Sequence, residues 1–114
     1  MQRFPEDWSL QSKVEFLQRK ILLNSIAYYN YDTSFLDDSY YDSLCRQLVV
    51  LHDEFIKTNN LADDTPYGYV FYDFDGSTGF HLYERLKESD KSYLNMIAES
   101  YISSKSREGS FIWK

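Results

Sequence analysis

The chain has 114 residues, 43% of them hydrophobic, which suits one domain over residues 1–114 with a single core. Its net charge of −6 at pH 7 argues against direct binding to nucleic acid, because an acidic surface repels the phosphate backbone. The lone Cys45 excludes an internal disulfide framework. Met1–Leu10 lacks the apolar core of a signal peptide, and no apolar run reaches the length of a membrane span. We therefore expect a cytoplasmic protein without membrane contact.

The pattern of apolar residues predicts a long first helix. Ser9 is a suitable N-cap, and one face is kept apolar by Leu10, Val14, Leu17, Ile21 and Tyr28. The helix should fade near Asn30–Asp32, where Asn and Asp side chains compete for backbone hydrogen bonds.

A second helix is predicted after a short loop at 32–36. Either Asp37 or Asp38 is its expected N-cap, and the apolar residues that recur at spacings of three and four are Tyr41, Leu44, Leu48, Leu51 and Phe55. The helix should stop near Asn59–Asn60. Because the connection is short, we expect residues 10–60 to form an antiparallel helical pair.

Residues 61–114 read differently, with loop chemistry at 62–68 followed by Tyr69–Tyr72, which we predict to be a strand or an extended segment. Helical spacing resumes at Phe80–Lys87 and again around Asp90–Ser103. The end, 109–113, is expected to be a docked tail or a short strand. The predicted fold class is therefore mainly α, with a helical pair, a C-terminal helical extension and a short extended segment.

An acidic turn, Asp73-Phe74-Asp75-Gly76, resembles the D-x-D motif of haloacid-dehalogenase phosphatases. Those enzymes need a parallel α/β sheet, and the 35 residues from 80 to 114 read as helix, so there is no room for the required βαβ units. We interpret the motif as a turn in which Gly76 adopts positive φ. A Ca²⁺ loop is disfavoured because the spaced ligands and closing Glu are missing, and the scattered His52 and His81 predict no metal site.

The start of the second helix carries a more specific set of residues. Asp38, Tyr41 and Asp42 are spaced i, i+3 and i+4, so they share one face of the first turn, and Tyr28 and Tyr29 end the preceding helix. Together they predict a small site with aromatic walls and two carboxylates, which suits a flat, cationic, hydroxylated ligand. The alternative is purely structural: the tyrosines belong to the core, Asp38 is an N-cap and Asp42 serves first-turn electrostatics.

Residues 24–55 resemble the N-terminal Ia domain of NAD⁺-dependent DNA ligases. The motif is D-x-x-Y-D-x-L, here DSYYDSL at 38–44, preceded by an aromatic-rich helix end and a loop of similar length. The later Asp64-Thr65-Pro66 resembles the ligase D-S-P, so the similarity covers roughly residues 10–67. From Tyr69 onward the sequence leaves that pattern and resembles the tails of small ligase-related proteins of phages and their hosts.

This resemblance implies a non-catalytic binding module for the nicotinamide mononucleotide (NMN) part of NAD⁺. At the positions that match the ligase motif, the residues that the resemblance implies as NMN contacts are Tyr28, Tyr29, Asp38, Tyr41 and Asp42. Tyr41 would stack on the nicotinamide. Tyr29 stands where the ligases usually have His, and no K-x-D-G motif is present, which argues against adenylation activity.

Two alternatives stay open at this point. One is an acidic phage-type interaction or antidefence inhibitor that blocks a host nucleic-acid-processing or NAD-linked protein; a homodimer through the Tyr-rich C-terminal helices is a related possibility. The other is a hydrolase of NAD⁺ or a nucleotide that uses Asp73 and Asp75.

Overall fold

A computed structural model describes residues 3–33, 37–58, 65–76 and 82–108, with side chains up to Ser103. Its elements are α1 (Leu10–Tyr31), α2 (Asp38–Thr58), the short α3 (Gly68–Phe71) and α4 (Glu88–Glu108), with a 3₁₀ turn at Tyr83–Arg85. No strand occurs in these ranges, and the mainly α fold class is confirmed. The predicted C-terminal tail at 109–113 lies outside the described residues.

The first helix, α1, is the centre of the fold. It packs against both α2 and α4, and every residue from Lys20 to Ala27 is buried. A helix covered on all sides in this way is normally apolar throughout. Here the buried side chains include four polar ones: Gln18, Lys20, Asn24 and Ser25. These four side chains make the core around α1 partly polar.

Both ends of α1 follow the sequence prediction. The Ser9 hydroxyl accepts a hydrogen bond from the Ser12 amide at 3.1 Å, so Ser9 is the N-cap. At the other end Asp32 adopts the left-handed conformation, with φ 51°, and its amide donates to the Ala27 carbonyl. Aspartate tolerates this conformation better than most residues do, which explains why the helix ends at Tyr31.

The second helix, α2, is capped by Asp37. The Tyr40 amide donates to the Asp37 carboxylate at 2.8 Å, and the Ser39 hydroxyl donates to the same oxygen at 3.0 Å. These hydrogen bonds lower the pKa of Asp37, that from Tyr40 contributing most. Asp38 is therefore the first residue inside the helix, which ends at Thr58.

The prediction of a strand or extended segment at Tyr69–Tyr72 is wrong, because residues 68–71 form the helical turn α3. The Tyr67 carbonyl accepts hydrogen bonds from the amides of both Val70 and Phe71. Val70 and Phe71 are consecutive and both buried, whereas a strand would point them to opposite faces. A short apolar run gives no periodicity to distinguish the two, and a helical turn satisfies its backbone locally.

The predicted helix at Phe80–Lys87 is also wrong over the part that the structure describes. Only Tyr83–Arg85 is helical, as a 3₁₀ turn, because Leu86 is extended at φ −68° and ψ 140°. This bend buries the Leu86 side chain and directs the Lys87 amide to the Tyr69 hydroxyl at 3.0 Å. As a result α4 begins at Glu88, two residues earlier than Asp90, and extends beyond Ser103 to Glu108.

The acidic turn at 73–76 is a structural turn in this fold. Arg85 donates to both carboxylate oxygens of Asp73, at 2.5 and 3.0 Å, and also to the Val70 carbonyl at 3.0 Å. Gly76 has the predicted positive φ, 87°, and a Cβ there would lie 3.3 Å from Val49. Arg85 thus fixes the turn against the end of α3.

Candidate functional site

A cavity of about 130 Å³ opens between the C-terminal part of α1 and the first turn of α2. We call it the interhelical cavity. The described residues that line it are Asn24, Ser25, Tyr28, Tyr29, Asp38 and Tyr41. Four of the five residues predicted from the sequence to form the site therefore surround one opening.

The floor of the interhelical cavity is polar and buried. The hydroxyls of Ser25 and Tyr41 are hydrogen-bonded at 2.8 Å, and Asn24 and Ser25 are 5% and 2% exposed. Burial raises the pKa of Tyr41 well above its ordinary value, so its phenol stays protonated at neutral pH and able to donate or accept. The floor offers hydrogen-bonding groups without a charge.

Asn24 and Ser25 were not predicted as site residues. A signal for them was available in the sequence, because they lie four residues before Tyr28 and Tyr29 and so share a helix face with them. Their small polar side chains, surrounded by apolar neighbours in the sequence, gave no motif of their own.

The walls of the interhelical cavity are Tyr28 and Tyr29. Their rings meet edge to face, with centroids 4.9 Å apart and an interplanar angle of 87°. Tyr28 is 56% exposed and Tyr29 44% exposed, so neither belongs to the core. The structural interpretation of Tyr28 as a core residue is wrong, whereas Tyr41 does pack against the core with its ring.

The two predicted carboxylates have different positions. Asp38 lines the interhelical cavity, and because Asp37 caps α2, the Asp38 side chain is not used as the N-cap. Asp42 is exposed one turn later and does not line the interhelical cavity. The structure therefore brings one carboxylate to the site instead of the two that the motif predicts.

No family model, curated protein or solved structure matches the chain. The similarity to the ligase Ia domain thus rests on the sequence motif and stays a prediction.

The remaining reactive side chains of the described residues do not form a second centre. Cys45 is buried, and burial raises the pKa of its thiol to about 11, so the nucleophilic thiolate is suppressed at neutral pH. Asp73, one of the two aspartates of the hydrolase hypothesis, is bound by Arg85. Within the described ranges, no three His, Cys, Asp or Glu side chains are grouped so that they could hold a metal ion.

No described helix has both the length and the apolar character of a membrane span.

Proposed function

We propose that the chain is a non-catalytic binding module whose interhelical cavity takes the nicotinamide part of NMN or NAD⁺. The observation that carries this proposal is the convergence of Tyr28, Tyr29, Asp38 and Tyr41 on one opening. These residues come from two different helices, and three of them are tyrosines that leave a gap instead of packing it closed.

The size of the interhelical cavity fits one aromatic ring. Its volume is about 130 Å³, and a cavity of about 150 Å³ in a protein core holds a benzene molecule. The interhelical cavity is slightly smaller than that one, and nicotinamide is larger than benzene by its carboxamide, so we expect the ring to enter only in part, with the ribose and anything attached to it at the opening. Because so little of the ligand is enclosed, we expect weak affinity.

The lining groups match the chemistry of a nicotinamide ring that carries a sugar. Such a ring is cationic, and tyrosine faces attract cations. Its carboxamide both donates and accepts hydrogen bonds, as do the side chains of Asn24 and Ser25 on the floor. Asp38 at the opening adds a negative charge that favours the cation and accepts from sugar hydroxyls.

Calorimetric titration of NMN tests the proposal, with Tyr28→Leu as the main variant. Tyr28 is 56% exposed, so its replacement should leave the fold intact while removing one wall. We expect binding in the millimolar range for the wild type and a loss of at least about fivefold in the variant, since a partly exposed cation–π contact contributes about 1 kcal/mol. Tyr72→Leu is the matched control, because Tyr72 is exposed and lies outside the interhelical cavity.

A second candidate function, contact with another protein, is supported by a different observation. Tyr93 and Met96 on α4 are 50% and 62% exposed, and both residue types are enriched in interfaces. The acidic-inhibitor version has less support, because three described ion pairs place a basic residue beside Asp53, Asp73 and Glu88. Sedimentation of the wild type and of Tyr93→Ser/Met96→Ser tests for a homodimer through this surface; equal sedimentation at all concentrations would count against that form.

A further inference from the structure

The described lining of the interhelical cavity contains an acidic side chain and no basic one. Among the described lining residues only Asp38 is an ionised type at neutral pH; the others are Asn24, Ser25, Tyr28, Tyr29 and Tyr41. The charge of the described lining is therefore negative.

The nearest basic residues along both helices, Lys20 and Arg46, are not among the described residues that line the interhelical cavity. The Lys20 ammonium lies 5.1 Å from the centroid of the Phe16 ring and 5.5 Å from that of Tyr40, neither of which lines the interhelical cavity. Arg46 lies eight residues after Asp38, about 12 Å along the helix axis, and it lines a different surface hollow with Ser43 and Val50. Neither residue therefore adds a positive charge to the described lining of the interhelical cavity.

We propose that the interhelical cavity selects phosphate-free nicotinamide cations, such as nicotinamide riboside and N-methylnicotinamide, over NMN and NAD⁺. This inference rests on the proposed function. The ring of all four carries the same positive charge, so the aromatic walls do not discriminate among them. A phosphate attached to the ribose would lie outside the one-ring space, towards solvent, and Asp38 is the lining carboxylate that is itself exposed. Its charge is repelled by Asp38 and by the net charge of −6 of the whole chain.

The same lining selects the oxidised ring over the reduced one. Reduction by a hydride converts the pyridinium cation into a neutral dihydropyridine, so the attraction to the tyrosine faces and to Asp38 is lost. Reduced nicotinamide riboside has the same sugar and the same carboxamide. It is thus the control ligand that isolates the ring charge.

The test is a calorimetric titration of the full chain with nicotinamide riboside, reduced nicotinamide riboside and NMN. At an ionic strength of about 0.01 M, where charges interact over about 30 Å, we expect nicotinamide riboside to bind at least about fivefold more tightly than either of the others. At about 0.15 M, where that distance is about 8 Å, the preference over NMN should shrink. NMN binding as tightly as the riboside at low salt would overturn the selectivity and leave the proposed function standing. If no ligand binds, both proposals fail.

Two variants assign the selectivity to a residue. Asp38→Asn should bring the riboside and NMN affinities closer together, because it removes the charge at the opening. Glu54→Gln removes one negative charge from an exposed position on the same helix, sixteen residues or about 24 Å further along. The riboside-to-NMN ratio should change much less in this control, because the charge removed is far from the opening. An equal change of the ratio in both variants would show that the charge at the opening has no special role.

Discussion

The hydroxyl of Tyr41 lies 2.8 Å from that of Ser25, so one hydrogen bond joins α2 to α1 at the floor of the interhelical cavity. Ser25 is almost completely buried, and Tyr41 packs its ring against the core. The bond therefore holds the tyrosine ring in place while the neighbouring tyrosines stay exposed. Its strength determines how well the interhelical cavity is preorganised for a ring.

Tyr41→Phe keeps the ring and removes the hydroxyl. We expect a loss of about 1 kcal/mol in the free energy of unfolding, because the buried Ser25 hydroxyl loses its partner. Urea unfolding of Tyr41→Phe, Ser25→Ala and the double variant forms a cycle, with an expected coupling energy of about 1 kcal/mol. Strictly additive losses would show that the two hydroxyls do not interact in solution.

The cap of α2 gives a pH-dependent prediction. Hydrogen bonds from Tyr40 and Ser39 lower the pKa of Asp37, so the folded state holds the proton less tightly than the unfolded chain. The stability that Asp37 contributes is thus present above its unfolded pKa of about 3.9 and is lost as the pH falls through the folded pKa. In Asp37→Asn the cap persists but does not titrate.

Urea unfolding between neutral and acidic pH measures this difference. Relative to Asp37→Asn, the wild type should lose stability as the pH falls below about 4. Asp37→Ala should be less stable than Asp37→Asn throughout, because alanine cannot cap the helix. Parallel curves for wild type and Asp37→Asn would contradict the assignment of Asp37 as the cap.

A buried lysine gives a prediction at alkaline pH. Lys20 is 2% exposed on α1, and burial lowers its pKa from 10.5 to about 8. Between these values the unfolded chain binds more protons than the folded one, so this group makes stability rise with pH. Compared with Lys20→Met, the wild type should gain stability from about pH 8 upward. Lys13→Met controls for the loss of one positive charge on α1, and equal slopes in wild type and Lys20→Met would contradict the prediction.

Gln18 is fully buried on α1, and neither of its amide atoms has a hydrogen-bond partner among the described residues. Gln18→Met keeps the length of the side chain and removes the polar group, so we expect a gain of about 1 kcal/mol in the free energy of unfolding. Gln11→Met, at an exposed position on the same helix, should change it by less than about 0.5 kcal/mol. A clear loss in Gln18→Met would show that the amide has a partner in solution, such as a buried water.

Sequence reasoning located the helices because their apolar periodicity extends over many turns, as in α1 and α2. It left the outcome open, or predicted it wrongly, where a single residue decides it. By residue type, Asp37 and Asp38 are equally suitable N-caps for α2. Because Asp37 caps the helix, the Asp38 side chain is left to line the interhelical cavity. Asp42 shares the predicted helix face, yet the neighbouring α1 determines which part of that face is enclosed.

The missed features have a similar cause. Asn24 and Ser25 belong to the site only because α2 covers this part of α1, a tertiary relationship that no local pattern contains. The four residues of α3 are too few to show a helical period. The bend at Leu86 is set by its burial and by the hydrogen bond from the Lys87 amide to Tyr69, which lies far away in the sequence.

The central claim, that a nicotinamide ring enters the interhelical cavity, is tested most directly by amide chemical-shift mapping with nicotinamide riboside. The largest shifts are expected at Asn24, Ser25 and Asp38, with saturation at millimolar ligand and smaller shifts on α4. Absence of saturable shifts, or shifts centred on another surface of the protein, would contradict the account.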